Sequence, residues 1–187
     1  MKKVIYIDVD KCLACRSCEI QCAVAHSAAK NLLGALKEDP QPQPRVQVEA
    51  AEDVALPLQC RHCEEAPCVT VCPGKGLKKL GPEQPVIFEA ERCIGCMTCV
   101  LACPFGLIRP DRGHAVVKCD FCIERQQAGE EPACVAACPT GAIQVRTLDE
   151  VVRESRKRAA ESVLVAFRAG ERVLKGKGPT GGTNAST

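Results

Sequence analysis

The chain has 187 residues, a formal net charge of +2 and only 3% aromatic residues, with no tryptophan. A core of large aromatic side chains is therefore excluded, and the lack of a basic stripe with interleaved aromatic residues argues against nucleic-acid binding. The composition instead includes sixteen cysteines, so bound metal is the candidate that organises the fold.

Short strands are predicted at intervals along the chain. Residues 3–9 alternate in polarity, are rich in β-branched side chains and are expected to form the first strand. A long connection follows, in which the proline-rich residues 35–46 predict a surface loop and residues 45–49 an edge strand. Later strands are predicted at residues 86–89, 115–118 and 142–146.

The cysteines form four runs of four, and the last three runs each end in Cys-Pro. In chain order the runs are Cys12, Cys15, Cys18, Cys22; Cys60, Cys63, Cys68, Cys72; Cys93, Cys96, Cys99, Cys103; and Cys119, Cys122, Cys134, Cys138. The first and third runs have the spacing C-x2-C-x2-C-x3-C, which is typical of [4Fe–4S] cluster binding. A short helix is predicted between the third and fourth cysteine of each run, and the insertion at residues 123–133 is expected to be a surface excursion.

Two other uses of clustered cysteines are disfavoured. Disulfide scaffolds belong to secreted proteins, but Cys12 follows the first residue too closely to leave room for a signal peptide. A cytoplasmic protein with reduced thiols is therefore expected. Zinc also binds Cys-x2-Cys pairs. However, a third cysteine at the same spacing, followed by a fourth cysteine and then a proline, favours a cubane cluster over zinc. Sixteen thiolates then predict four [4Fe–4S] clusters.

The fourth cysteine of a ferredoxin run ligates the cluster of the other run, so runs are expected to pair. The second and third runs are close in sequence and are predicted to pair with each other, which leaves the first run to pair with the fourth. The predicted fold is α+β, with two pseudo-twofold units like bacterial ferredoxins within residues 1–146. Strands 3–9 and 142–146 would then lie side by side.

The last part of the chain has a different pattern. Thr147 and Glu150 indicate a capping box, and apolar residues then recur at helical spacing. An amphipathic helix is predicted over residues 147–174, followed by a disordered tail over residues 175–187. The helix is expected to dock on a partner subunit or a second copy, the alternative being that it closes over its own domain. No apolar run approaches the roughly 18–20 residues that span a bilayer.

Other candidate residues carry weaker signals. His62 lies inside the second run, where it either donates to a cluster sulfur or has a structural role, and His26 and His114 are scattered. Met97 is expected to pack against its cluster. The lysines that follow the second run either face solvent or dock an acidic partner; they are Lys75, Lys78 and Lys79. Neither a dinucleotide-binding nor a Walker A motif is present, and no catalytic residue is predicted.

The segments QCRHCEEAPCVTVCP, RCIGCMTCVLACPFG, KCDFC and PACVAACPTGAI resemble the four-cluster iron–sulfur electron-transfer subunits of complex redox enzymes, over residues 3–146. Within that family the chain is most similar to the cytoplasmic subunit of carbon monoxide dehydrogenase, and next to subunits of tungsten or molybdenum aldehyde oxidoreductases, formate dehydrogenases and hydrogenases. The resemblance implies four ligand sets. They are Cys12, Cys15, Cys18 and Cys138; Cys119, Cys122, Cys134 and Cys22; Cys60, Cys63, Cys68 and Cys103; and Cys93, Cys96, Cys99 and Cys72.

The resemblance also implies a non-catalytic role. The expected function is to carry electrons between a catalytic oxidoreductase subunit and a second redox partner. A freely diffusing polyferredoxin is the first alternative, and a metal-stabilised interaction module without a redox role is the second. The expected location is the cytoplasm, without insertion into a membrane.

Overall fold

The computed structural model describes residues 3–111 and 116–174, without the side chains of residues 171–174. The chain divides into two compact units, Met1–Thr147 and Leu148–Thr187. In the described part of the first unit, strands and helices alternate in short pieces. They are β1 (Lys3–Ile7), α1 (Ser17–Ala25), α2 (Leu32–Ala35), β2 (Val46–Ala51), β3 (Val54–Gln59), α3 (Pro67–Thr70), β4 (Leu77–Lys79), β5 (Val86–Phe88), α4 (Thr98–Ala102), β6 (Arg109–Pro110), β7 (Val116–Val117), α5 (Ile123–Gln127), α6 (Ala133–Ala136) and β8 (Ile143–Thr147).

The described strands pair into small antiparallel sheets. Strand β1 pairs with β8 in a register that places Lys3 opposite Thr147 and Ile7 opposite Ile143. This confirms the expectation that the first and last strands of the domain lie side by side. The other pairs are hairpins between consecutive strands: β2 with β3, β4 with β5, and β6 with β7.

Two groups of buried residues mark two halves of the first unit. Helix α1 contacts α6, and around them the thiols of Cys18, Cys22 and Cys134 are buried with Val46 and Ile143. Helix α3 contacts α4, and the core beside them consists of aliphatic and cysteine side chains. Those residues are Ala66, Cys68, Leu77, Val86, Cys99, Ile108 and Val116. The first run therefore packs with the fourth, and the second with the third.

Several predicted boundaries differ from the observed ones. Strand β1 ends at Ile7 because Val9–Lys11 forms a 3-10 turn, and the Asp8 N–H continues the pairing by donating to the Ala142 carbonyl at 2.8 Å. The predicted strand 115–118 is reduced to β7, and its first residue lies outside the described part. The insertion at residues 123–133 is mostly on the surface, as expected, but it begins with helix α5 and its last two residues, Pro132 and Ala133, are buried.

The long connection before the second run contains structure that the sequence did not indicate. The predicted edge strand extends to Ala51 as β2, and it pairs with β3, which was not predicted because Pro57 interrupts its pattern. Proline is tolerated there because the pair has no third strand that needs its N–H. Helix α2 occupies the start of the predicted proline-rich loop, which therefore runs from residue 36 to residue 45.

The second unit contains helix α7, Leu148–Leu174. It begins one residue later than predicted, since Thr147 belongs to β8. Leu148, Val152, Ala159, Val163 and Phe167 follow one another at intervals of four or seven residues and so share one side of the helix. The tail predicted over residues 175–187 lies outside the described part. Among the described helices, none combines the length and the apolar character needed to cross a membrane.

Candidate metal centres

Three cavities in the first unit are each lined by four cysteine side chains. Each has a volume of about 20 Å³. Their cysteines are Cys60, Cys63, Cys68 and Cys103 in the first; Cys72, Cys93, Cys96 and Cys99 in the second; and Cys12, Cys15, Cys18 and Cys138 in the third. In every case three thiols come from one run and one thiol from the end of another run.

The remaining four cysteines form a buried group of the same composition. Burial raises the pKa of the Cys134 thiol, and the nearby thiols of Cys119, Cys22 and Cys122 raise it further. All four of these side chains are buried. Here too, three thiols belong to one run, which is the fourth run. The remaining thiol, that of Cys22, is the last of the first run.

The loops between the first two cysteines of each run have a strained backbone. The residue before the second cysteine has a left-handed conformation in all four runs, at Ala14, His62, Gly95 and Phe121. For a residue with a side chain this conformation costs about 1–2 kcal/mol, but it turns successive N–H groups toward one side and makes a concavity for an anion. The His62 and Phe121 N–H groups accordingly donate to Cys60 Sγ and Cys119 Sγ, both at 3.4 Å.

Other backbone N–H groups reach the cysteines that close the runs. The Arg45 N–H donates to Cys22 Sγ at 3.2 Å, and the Leu107 N–H donates to Cys103 Sγ at 3.5 Å. These donors stabilise thiolates over neutral thiols, because a hydrogen bond to the charged form favours it. Sequence reasoning could not identify these donors, since every residue except proline supplies a backbone N–H.

The four groups of cysteines differ in access to solvent. Cys15 and Cys96 are exposed, whereas the group of Cys22, Cys119, Cys122 and Cys134 is buried throughout. A hydroxyl two residues later assists each exposed thiol: hydrogen bonds from Ser17 lower the pKa of Cys15, and those from Thr98 lower the pKa of Cys96. Two of the groups therefore reach the surface.

A buried lysine lies between the two halves of the unit. The Lys118 side chain is only 3% exposed, and its Nζ donates to the carbonyls of Val86 at 2.5 Å and Cys119 at 2.6 Å. Burial raises the pKa of Cys68 to about 11, and the Lys118 ammonium acts in the opposite direction. It acts in the same way at Cys119. One buried cation thus lies near thiols of two different groups.

His26, which the sequence left without a role, belongs to a polar network beside the buried group. Its Nε2 lies 3.3 Å from Asp120 Oδ1, and Arg45 Nη1 lies 2.6 Å from Asp120 Oδ2. Burial lowers the pKa of His26, but hydrogen bonds to Asp120, Cys122 and Cys22 outweigh burial and raise it to about 11. Asp120 also accepts the Cys122 N–H at 2.9 Å, so the network holds the ligand loop in place.

The remaining sequence candidates are also accounted for. Met97 lines the cavity of Cys72, Cys93, Cys96 and Cys99, which agrees with the predicted packing role. The lysine run does not form a uniform solvated face, because Lys78 pairs with Glu89 at 2.6 Å and Lys79 donates to the Cys63 carbonyl at 2.8 Å. His114 lies outside the described residues.

The donors of these four groups fit an iron–sulfur cluster. Each group offers four thiols, which are soft anionic ligands once deprotonated, and inward N–H groups that stabilise negative charge. One buried donor, His62 Nε2, has no hydrogen-bond partner among the described residues. A cluster sulfur is an acceptor of the kind that such a donor requires.

Paired strands, cysteine loops and short helices around groups of four thiols define a ferredoxin-like iron–sulfur protein. The family described as "4Fe-4S dicluster domain" matches residues 52–148. The chain belongs to this family. The matched segment contains the second, third and fourth cysteine runs, while the first run precedes it.

Known proteins of similar sequence have related descriptions. An "Iron-sulfur protein" of Rhodospirillum rubrum is 38% identical over an alignment of 172 residues, and the match covers 83% of this chain and 89% of that protein. The "Thiosulfate reductase electron transfer subunit PhsB" of Salmonella typhi is 38% identical over an alignment of 158 residues, and the match covers 79% of this chain and 77% of that protein. In a solved structure, "Active site complex BamBC of Benzoyl Coenzyme A reductase as isolated", the similar chain is 26% identical with a TM-score of 0.42, over 86% of this chain and 96% of that one.

Proposed function

We propose that this chain is a non-catalytic electron-transfer subunit that holds four [4Fe–4S] clusters between a catalytic oxidoreductase subunit and a second redox partner. The observation that carries the proposal is the arrangement of the cysteines in groups of four, each with three thiols from one run and one from another. When bound, a [4Fe–4S] cluster supplies reversible one-electron transfer. The protein supplies thiolate ligands and N–H donors.

The proposed ligand sets follow the observed groups. They are Cys12, Cys15, Cys18 and Cys138; Cys22, Cys119, Cys122 and Cys134; Cys60, Cys63, Cys68 and Cys103; and Cys72, Cys93, Cys96 and Cys99. The cavity linings and the mutual effects of the thiols on pKa support this assignment. Ligand exchange between runs is also the rule in two-cluster ferredoxins.

The sets are proposed to act in one linear order. Each set is named by one of its four cysteines. The exposed Cys15 set and the buried Cys22 set both take their cysteines from the first and fourth runs. The Cys22 set faces the Cys60 set, since Cys60 is among the thiols that affect the pKa of Cys119. The Cys60 set shares two runs with the Cys96 set, which reaches the surface again. Electrons would therefore enter and leave at Cys15 and Cys96, while the two inner sets exchange electrons beside Lys118.

A fixed partner is proposed rather than free diffusion. Exposed apolar side chains lie beside each surface thiol: Leu13 is 70% exposed next to Cys15, and Ile94 is 68% exposed next to Cys96. In the second unit, helix α7 separately exposes Val163, at 67%, and Phe167, at 65%, one turn apart on the same side. Exposed apolar side chains that share one side of a helix indicate a contact site. One relative is named as an electron-transfer subunit of thiosulfate reductase; for this chain the resemblance favours carbon monoxide dehydrogenase, a tungsten or molybdenum oxidoreductase, or a hydrogenase.

The test is anaerobic purification followed by iron and acid-labile sulfide analysis and by EPR of the reduced protein. Four cubanes predict about sixteen iron and about sixteen sulfide per chain. Zinc without sulfide would contradict the proposal and leave a structural module. Clusters that cannot be reduced by a co-purified catalytic subunit and its substrate would contradict the role as a subunit, and would favour a freely diffusing carrier.

A further inference from the structure

The second cysteine run contains a buried histidine whose ring lies at the junction of the two halves of the domain. His62 is 9% exposed, and its ring stands edge-on to Phe121, with centroids 5.5 Å apart. His62 and Phe121 occupy equivalent positions, each one residue before the second cysteine of its run. Their contact therefore joins the ligand loops of the two inner sets.

The surroundings of the ring determine which nitrogen carries the proton. The Val86 N–H donates to His62 Nδ1 at 3.0 Å, so Nδ1 is an acceptor. A neutral imidazole with an accepting Nδ1 has its hydrogen on Nε2. This hydrogen bond therefore makes the ring a donor through Nε2.

That Nε2–H group is buried without a hydrogen-bond partner among the described residues. Leaving a buried donor unsatisfied is energetically unfavourable, because the group loses its hydrogen bond to water and gains none in return. The ring belongs to the ligand loop of the second run and contacts Phe121 in that of the fourth, and the acceptors that a bound cluster would add there are its sulfur atoms. A hydrogen bond to a cluster sulfur stabilises the more negative reduced state and so raises the reduction potential.

We propose that the Nε2–H of His62 donates a hydrogen bond to a sulfur atom of one of the two inner clusters and raises the reduction potential of that cluster. The inference rests on the proposed function, since it requires clusters at the two inner sets. It makes His62 a tuning residue that acts at the step between the halves of the domain.

Two variants separate the hydrogen bond from a structural role. His62→Phe removes both the acceptor of the Val86 N–H and the Nε2–H donor, whereas the glutamine of His62→Gln keeps a side-chain N–H that can reach the position of Nε2. The measurement is the midpoint potential of each cluster by EPR-monitored redox titration of the intact holoprotein. His62→Phe is expected to lower one midpoint potential by about 59 mV, a tenfold change in the equilibrium constant for a one-electron couple. His62→Gln is expected to restore most of that shift.

Adding Cys134→Ala, which removes a ligand of the Cys22 set, identifies the affected cluster. If the shift caused by His62→Phe disappears in that background, the acceptor belongs to the Cys22 set; if it persists, the acceptor belongs to the Cys60 set. Unchanged potentials, or equal shifts with phenylalanine and glutamine, would overturn the inference while leaving the clusters in place. A wild-type protein without clusters would instead refute the proposed function, so the two failures are distinguishable.

Discussion

The exchange of ligands between runs can be tested by removing cysteines singly and in pairs. Cys22 is 4% exposed and is grouped with Cys119, Cys122 and Cys134, although its own run is the one that contains Cys18. Cys22→Ala is therefore expected to eliminate the cluster of the fourth run. Iron content should fall from about sixteen to about twelve per chain, because one cubane contains four iron atoms.

Two double variants distinguish ligand exchange between runs from ligation within a single run. Cys22→Ala combined with Cys134→Ala removes two ligands of one set, so iron should remain at about twelve. Cys22→Ala combined with Cys18→Ala removes one ligand from each of two sets, so iron should fall to about eight. The assay is iron and sulfide per chain after anaerobic purification, with quantitative spin counting of the reduced clusters.

The opposite result would refute the reasoning. If Cys22 shared a cluster with Cys18, the Cys18 and Cys22 pair would keep about twelve iron atoms, and the Cys22 and Cys134 pair would keep about eight. The two hypotheses therefore predict opposite iron contents for the same two double variants. Cys138→Ala combined with Cys18→Ala is the matched control, since both thiols line one cavity, and it should retain about twelve.

Three further predictions concern the surroundings of the clusters. Lys118→Met should lower the reduction potentials of both inner clusters, since it removes a buried positive charge near Cys68 and Cys119. Lys75→Met, at an exposed site, is the control and should leave all reduction potentials unchanged in the same redox titration. Asp120→Asn should reduce the free energy of unfolding by about 1–3 kcal/mol, since it weakens charged hydrogen bonds to His26 and Arg45; anaerobic denaturation followed by cluster absorbance measures this, and an unchanged midpoint would contradict it. Deletion of residues 148–187 should preserve iron content but weaken binding of the catalytic subunit, as measured by co-purification; loss of iron would instead indicate that α7 closes its own domain.

The sequence alone determined the local part of the site. Ligand spacing within a run is a short-range property, so the four runs, the short helices at their third cysteines and several nearby strands were predictable from residue order. The pairing of β1 with β8 was also predictable, because only the first and last runs remained once the middle runs were paired. Helix α7 was predictable because its apolar residues keep a helical period over more than 20 residues.

The tertiary structure decided what depends on residues far apart in the chain. Strand β3 was not predicted because Pro57 interrupts its pattern. The proline is tolerated because, among the described strands, β3 pairs only with β2 and no further strand needs an N–H at that position. Lys118, His26 and Arg45 looked like ordinary polar residues, and they became part of the site because the folded chain places them beside the cysteine groups. A residue pattern predicts the type of a local element and the chemistry of its side chains. It does not predict which buried N–H or ammonium group lies next to which thiol, because that proximity depends on packing between the two halves of the domain.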